Sequence, residues 1–156
     1  GTPGAAAPVI ERLLDRATAA VCAEAVGVMD ALLQRTAAYL GTRQQFGMPL
    51  ARFQALQHRI ADVAMEAEQA RSMALVAAQY ARHEDDAARR RHVSAAKARI
   101  GIAAKYVGEQ AVQLHGGIGM TDELDVSHYF KRLTMIARTF GDADHHLERY
   151  LATGTG

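Results

Sequence analysis

Apolar side chains recur at helical spacing along almost the whole chain. Ile10, Leu13, Leu14, Ala17, Val21, Ala25, Val28, Leu32 and Thr36 fall on one face as far as about Leu40. Pro8 stands where a first helical turn needs no N–H. The spacing predicts an unusually long first helix, and Ala20, Ala23, Gly27 and Ala31 give it small patches where another helix can come close. Residues 41–52 hold two glycines and Pro49 and read as a connection. A second helix is predicted from about Phe53 to Arg82, with Leu56, Ile60, Val63, Ala67, Ala70, Ala74 and Ala77 on its face. Glu84-Asp85-Asp86 suits the positive N-terminal end of a third helix, about Ala87 to Leu114, which carries Val93, Ala96, Ile100, Ala103, Val107 and Ala111. Asp125 is a plausible N-cap for a shorter helix to about Arg138, and a last helix starts near Gly141-Asp142 and ends by Ala152. No period-2 alternation is long enough for a strand. The expected fold is all-α, an up-and-down helical bundle of three long and two shorter helices, with residues 1–8 a linker remnant, 9–152 the domain and 153–156 a tail.

Composition narrows the function. The hydrophobic share of 49% supports a core, and without Trp and with abundant Ala that core must come from closely approaching helices. A formal charge of +1 gives no electrostatic reason to expect nucleic acid or a membrane surface as partner. The run Arg89-Arg90-Arg91 then reads as a solvated face. Cys22, the single cysteine, reads as core and is compatible with a reducing cytoplasm. No apolar run approaches the roughly 20 residues of a membrane span. The start Gly1-Thr2-Pro3-Gly4, without Met, suggests a piece of a longer protein.

Candidate chemistry gathers at helix ends. Gln113-Leu114-His115-Gly116-Gly117-Ile118-Gly119-Met120 breaks the third helix with three glycines, which either cap it or let a ligand approach bare backbone. No strand precedes Gly116, so a Rossmann or P-loop reading fails. Glu-x-x-His, needed for a di-iron bundle, does not occur; the nearest pattern is Asp125-Val-Ser-His128. Asp142, Asp144, His145 and His146 form the densest polar cluster. One such cluster could take a divalent ion, but a charged helix start explains it better, and no metal is expected.

Arg43-Gln44-Gln45-Phe46-Gly47, then Phe53-Gln54 opening a helix, then Ala111-Val112-Gln113 before the glycines and Glu123 after them, then Gly141 before the last helix: this order resembles the C-terminal helical domain of the acyl-CoA dehydrogenases over about residues 9–152. The resemblance implies a flavoenzyme that dehydrogenates an acyl-CoA thioester at Cα and Cβ, with FAD as cofactor and acyl-CoA as substrate. It also implies a homo-oligomer, dimer or tetramer, or a heterotetramer with a second acyl-CoA dehydrogenase subunit. Carried over by position, Arg43, Phe46 and Gln54 belong to the flavin-nucleotide site, and Gln113, Gly116 and Gly117 meet its adenosine diphosphate half. Asp142 and Asp144 fall near flavin, and Asp15 and Gly141 near the acyl-CoA, although an Arg expected three residues after Asp15 is Thr18 here.

The family's catalytic base is missing from its usual places. The Glu before the last helix is replaced by Phe140, and the alternative position on the first helix falls on or beside Ala17. Asp142 could act as a displaced base. Alternatively the chain is the accessory half of a heteromeric enzyme, and Gly141–Leu147 with His128–Ile136 looks most like the small subunits of two-subunit pimeloyl-CoA dehydrogenases, a resemblance that implies a dicarboxylyl-CoA substrate. A helical scaffold without flavin is the third reading.

Overall fold

In the computed structural model, which describes residues 1–121 and 123–154, five helices form an up-and-down bundle. They are α1 (Ala7–Thr42), α2 (Gln54–Tyr80), α3 (Asp86–His115), α4 (Val126–Arg138) and α5 (Ala143–Leu151). Of the expected tail, residues 155 and 156 lie outside the described residues. α3 is the central element, touching all four other helices. Its buried face, Val93, Ala96, Ile100, Ala103, Ala104 and Val107, meets Cys22, Ala25, Met29 and Leu32 of α1, Val63, Ala67 and Ala70 of α2, and Leu133 and Ile136 of α4. Alanines at these contacts let helix axes come close. Burial pushes the Cys22 thiol up to about 12, consistent with a core residue rather than a nucleophile.

Four expectations need correction. The connection 41–52 is not featureless: Gln44–Gln45 pairs antiparallel with Met48–Pro49, and a 3₁₀ turn at Leu50–Arg52 leads into α2. The pair is two residues long on each side, too short to leave an alternating pattern. The arginine run is not a solvated face. Arg89 is only 1% exposed and Arg90 pairs with Glu11, while Arg91 donates to the Tyr150 hydroxyl at 2.7 Å and lies over its ring. Asp125 precedes α4 but caps nothing; its carboxylate takes Arg35 Nε at 2.6 Å instead, tying α4 to α1. By length and mean hydropathy α1 could cross a membrane, contrary to the sequence reading, but it is built into the bundle against α2, α3 and α4.

The other caps behave as expected. Asp85 accepts from the N–H groups of Ala87 and Ala88 at the start of α3, and Asp142 accepts from His145 N–H at the start of α5. The first turns of α1 are tied to α3 by Arg12 and Glu11, which pair with Asp86 and Arg90, but their apolar side chains face away from the bundle. Val9, Ile10, Leu13 and Leu14 are exposed there despite their helical spacing.

Candidate functional site

The helix order sorts the candidate residues into two groups at opposite ends. The C-terminus of α1, the small hairpin, the start of α2 and the end of α3 share one end. They are stitched there by Tyr39, whose hydroxyl donates to the His115 carbonyl at 3.3 Å and whose ring stacks on the imidazole at 4.5 Å. His115 is fixed in turn by Nδ1–H donating to the Ala111 carbonyl at 2.8 Å.

Arg43 ends α1 by donating its N–H to Tyr39 and accepting from Leu50 N–H at 2.8 Å, so its backbone is held from both sides. Its side chain is exposed and has no hydrogen bond or ion pair among the described residues. Phe46 turns the hairpin at φ 53°; it is 87% exposed, and its ring packs edge-on with that of Phe53. Gln54 begins α2 and is exposed. Gln113 is exposed on the last turn of α3.

The glycines serve different needs. Gly116 adopts φ 69° and donates its N–H to the carbonyls of Val112 and Gln113, so it is the α3 cap. Gly117 is exposed, with nothing near the place a Cβ would occupy, and Gly116 is open in the same way. At Gly119 a Cβ would come within 2.9 Å of both the Val112 carbonyl oxygen and the His115 side chain. This end therefore offers an unpaired guanidinium, an exposed aromatic ring, two amides and bare backbone. That set can hold a phosphate-bearing aromatic cofactor.

The other end joins the first turns of α1, the first turns of α3 and all of α5. Asp15 is buried, its carboxylate clamped by Arg89 Nε at 2.9 Å and Arg149 Nη1 at 2.8 Å. Both oxygens are thus engaged inside the chain. Thr18 is buried beside them and Ala17 is half-buried. Between α4 and α5 the backbone turns through two positive φ values, 61° at Phe140 and 109° at Gly141. A Cβ on Gly141 would strike the rings of His145 and His146.

Lys97 sets this turn from below, its buried ammonium donating to the carbonyls of Ala137 at 3.0 Å and Gly141 at 2.7 Å. Burial lowers its pKa. His146 Nε2–H donates to the Phe140 carbonyl at 3.0 Å, which leaves Nδ1 a bare acceptor without partner; burial drives this imidazole down to about 4. Asp142 is exposed, and the hydrogen bond from His145 N–H holds its carboxyl below the usual range. A carboxylate stabilised in its charged form and committed to a cap is a weak proton acceptor. Asp144 is exposed two residues further on, in the first turn of α5. Among the described residues no group of three His, Cys, Asp or Glu side chains could hold a metal ion.

Two clefts open here. One, of about 160 Å³, is lined by Glu11, Leu14, Thr18, Phe140, His146 and Arg149 among others. The second, of about 350 Å³, runs along Lys105, Arg138, Asp142 and Asp144. The two ends do not meet in one chain. Lys97, beneath Gly141, and Gly116 are 19 residues apart along α3 (116 − 97), roughly 28 Å at about 1.5 Å per residue.

Sequence reasoning missed Lys97, Arg89, Arg149 and Tyr39. Lys97 carried a signal, since it lies among Val93, Ala96 and Ile100 on the buried stripe of α3. A lysine there must find oxygen acceptors.

The family model described as acyl-CoA dehydrogenase, C-terminal domain, matches residues 7–152. The acyl-CoA dehydrogenase IpdE2 of Mycolicibacterium smegmatis is 37% identical over 139 residues, covering 88% of this chain and 42% of that relative. The solved Tcur3481-Tcur3483 steroid ACAD G363A variant superposes with TM-score 0.87 at 33% identity, over 96% of this chain and 40% of that one. The glutaryl-coenzyme A dehydrogenase in its glutaryl-CoA complex gives TM-score 0.88 at 27% identity, over 99% of this chain and 39% of that one. The chain thus spans less than half the length of each of these relatives.

Proposed function

The chain belongs to the acyl-CoA dehydrogenase family, as its C-terminal helical domain, and from that premise we propose that it supplies flavin-nucleotide contacts and subunit interface to an α,β-dehydrogenation of acyl-CoA, without supplying the base. The observation that carries this reading is the free Arg43 side chain at the same end of the bundle as the open glycine turn Gly116-Gly117. When bound, FAD supplies the hydride acceptor. Arg43 would hold its phosphate oxygens, Phe46 and Gln54 would serve the nucleotide, and Gln113 with the Gly116 and Gly117 backbone would serve its adenosine diphosphate half. Asp142 and Asp144, at the far end, serve the flavin of a neighbouring subunit's site, because about 28 Å of α3 separates them from Gly116.

Phe140 cannot accept a proton, and the cap hydrogen bond that lowers the Asp142 pKa makes it a weak base, so in this reading the α-proton is taken by a partner subunit. The protein is the accessory half of a heteromeric dehydrogenase working in the cytoplasm. A dicarboxylyl-CoA substrate is favoured by the similarity to the glutaryl-CoA enzyme, while the similarity to a steroid ACAD makes a steroid-derived acyl-CoA the competing choice.

Stopped-flow flavin bleaching of the full-length protein tests this, with pimeloyl-, straight-chain and steroid-derived acyl-CoA, alone and with its co-purified partner. Bleaching only with the partner is expected, and fastest with the dicarboxylyl substrate. Bleaching by the protein alone would mean that it contains its own base. A colourless protein, purified without stripping, would leave only the scaffold reading.

A further inference from the structure

Tyr39 makes two contacts at the end of the bundle that carries Arg43 and the glycine turn. Its carbonyl accepts the Arg43 N–H at 2.8 Å and so fixes where α1 stops. Its hydroxyl donates across to the His115 carbonyl at 3.3 Å, 76 positions further along the chain. Among the described residues this is the one hydrogen bond that joins residues 39–54 to residues 111–121. The hydrophobic core does not set their spacing, because it reaches only Leu33 on α1 and Val112 on α3. Leu40 and Leu114 are buried but stand outside that cluster. The last turns of both helices therefore lie past the core, and the side chain that bridges them is Tyr39.

His115 passes this grip on to the glycine turn. Its imidazole is fixed by the Tyr39 ring, 4.5 Å away and inclined by 28°, and by Nδ1–H donating to the Ala111 carbonyl at 2.8 Å. A ring clamped by stacking has little freedom to swing, so the Tyr39 hydroxyl fixes a distance as well as making a bond. The His115 Cβ lies 2.9 Å from where a Cβ on Gly119 would stand, so the 116–120 turn rests directly against it. Gly116 follows at φ 69°. One aromatic side chain thus links the backbone of Arg43 to the turn that holds Gly116 and Gly117.

We infer that Tyr39 is a positioning residue, which holds the free Arg43 guanidinium and the open Gly116-Gly117 backbone in register so that both reach one flavin nucleotide together. The inference rests on the flavin reading above. Two groups already in place bind a shared ligand without the cost of being ordered by it, which is what a fixed strut between them supplies. Tyr39 acts through Arg43 and the turn and makes no contact of its own with the nucleotide.

The full-length protein in its native assembly, stripped of flavin and refilled with FAD, provides the test. Flavin fluorescence reads the FAD dissociation constant in the wild type, Tyr39→Phe, Arg43→Ala and the double variant. Tyr39→Phe keeps the ring and its stacking, so folding is expected to survive, which circular dichroism checks. It should weaken FAD about three- to tenfold, the scale of one hydrogen bond. In the double variant the two losses should fall short of their product by about threefold or more, because an Arg43 already out of register has less to lose. A residue that served stability alone would lower the melting temperature and leave the two losses multiplicative. Hydrogen exchange gives a second readout without flavin: it should quicken about threefold or more at Gly116–Met120 in Tyr39→Phe, and not at residues 93–107 of α3. Equal FAD affinity in wild type and Tyr39→Phe, multiplicative losses, or unchanged exchange at the turn overturns the inference; Arg43→Ala still weakening FAD in that case leaves the flavin reading standing. A wild type that takes up no FAD, or an Arg43→Ala variant that holds it as tightly, overturns both.

Discussion

At the scale of single residues, the turn at Phe140-Gly141 sets the sharpest tests. His146 is neutral in the folded chain because burial holds it at about 4, while an unfolded histidine titrates near 6.5. Its contribution to stability is therefore fully present above about pH 6.5. It is lost progressively as the pH falls toward 4, where the unfolded state takes up a proton that the folded state refuses. The loss is on the order of 2–3 kcal/mol. Urea midpoints between pH 7 and 4 should show it, and His146→Gln, which keeps a donor for the Phe140 carbonyl, should flatten that part of the curve. The carboxylates whose pKa values lie below normal, Glu24, Asp86 and Asp142, begin to lose their contribution only as the pH approaches their unfolded values, 4.5 for Glu24 and 3.8 for the aspartates, so the fall between pH 6.5 and about 5 is the part that reports His146.

Phe140 gives a second test. Its φ of 61° is as strained for Glu as for Phe, and Lys97 and His146 hold the carbonyls around it whatever side chain it bears. Phe140→Glu in the full-length protein should let acyl-CoA bleach the flavin without a partner. No bleaching, with flavin still bound, would show that the turn does not present this position to the substrate.

At the scale of elements, the interlock of α1, α3 and α5 is ionic. Asp15 on α1, Arg89 on α3 and Arg149 on α5 share one buried cluster, with Arg149 also donating to Ser94 at 3.0 Å. Removing one partner strands a buried charge, which costs about 3–5 kcal/mol. Asp15→Asn should lower the unfolding free energy by about that much, and Asp15→Leu combined with Arg89→Met should recover part of it. A loss below about 1 kcal/mol for Asp15→Asn would mean that the cluster is wet rather than sealed. The helices themselves were legible in the sequence, because 3.6-residue periodicity records which face is buried. The role of the arginine run was not, since composition cannot tell a charge that faces water from one that faces a carboxylate 74 positions away. Likewise Gly119 reads as loop flexibility, but its place is fixed by backbone contact with α3; Gly119→Ala must push the 116–120 turn off that helix.

At the scale of the whole molecule, the sequence order that resembles the family could be read along the chain, but the separation of its candidate flavin residues could not. Spacing along a chain does not say that residues 43–54 and 113–117 share one end of a bundle while 142 and 144 stand at the other. A cofactor touched by both groups needs two copies, or this chain and a partner, so flavin retention must follow assembly. The face available for that assembly is on α1. Ala20, Ala23 and Gly27 are exposed, and a Cβ at Gly27 would meet nothing within 4 Å. A row of small side chains lets a second helix pack closely, so self-association through α1 is expected.

Within one chain, adding a side chain at Gly27 should raise helix stability by up to about 1 kcal/mol. In an assembly, Leu at the same place would hold the partner helix away. Gly27→Leu should therefore leave helicity intact, shift light scattering toward the monomer and reduce bound flavin. Arg43→Ala should reduce bound flavin with the assembly unchanged. If Gly27→Leu keeps both its mass and its flavin, the interface lies on another face. If it dissociates yet retains flavin, one chain holds the cofactor alone, and Asp142 and Asp144 have no part in binding it.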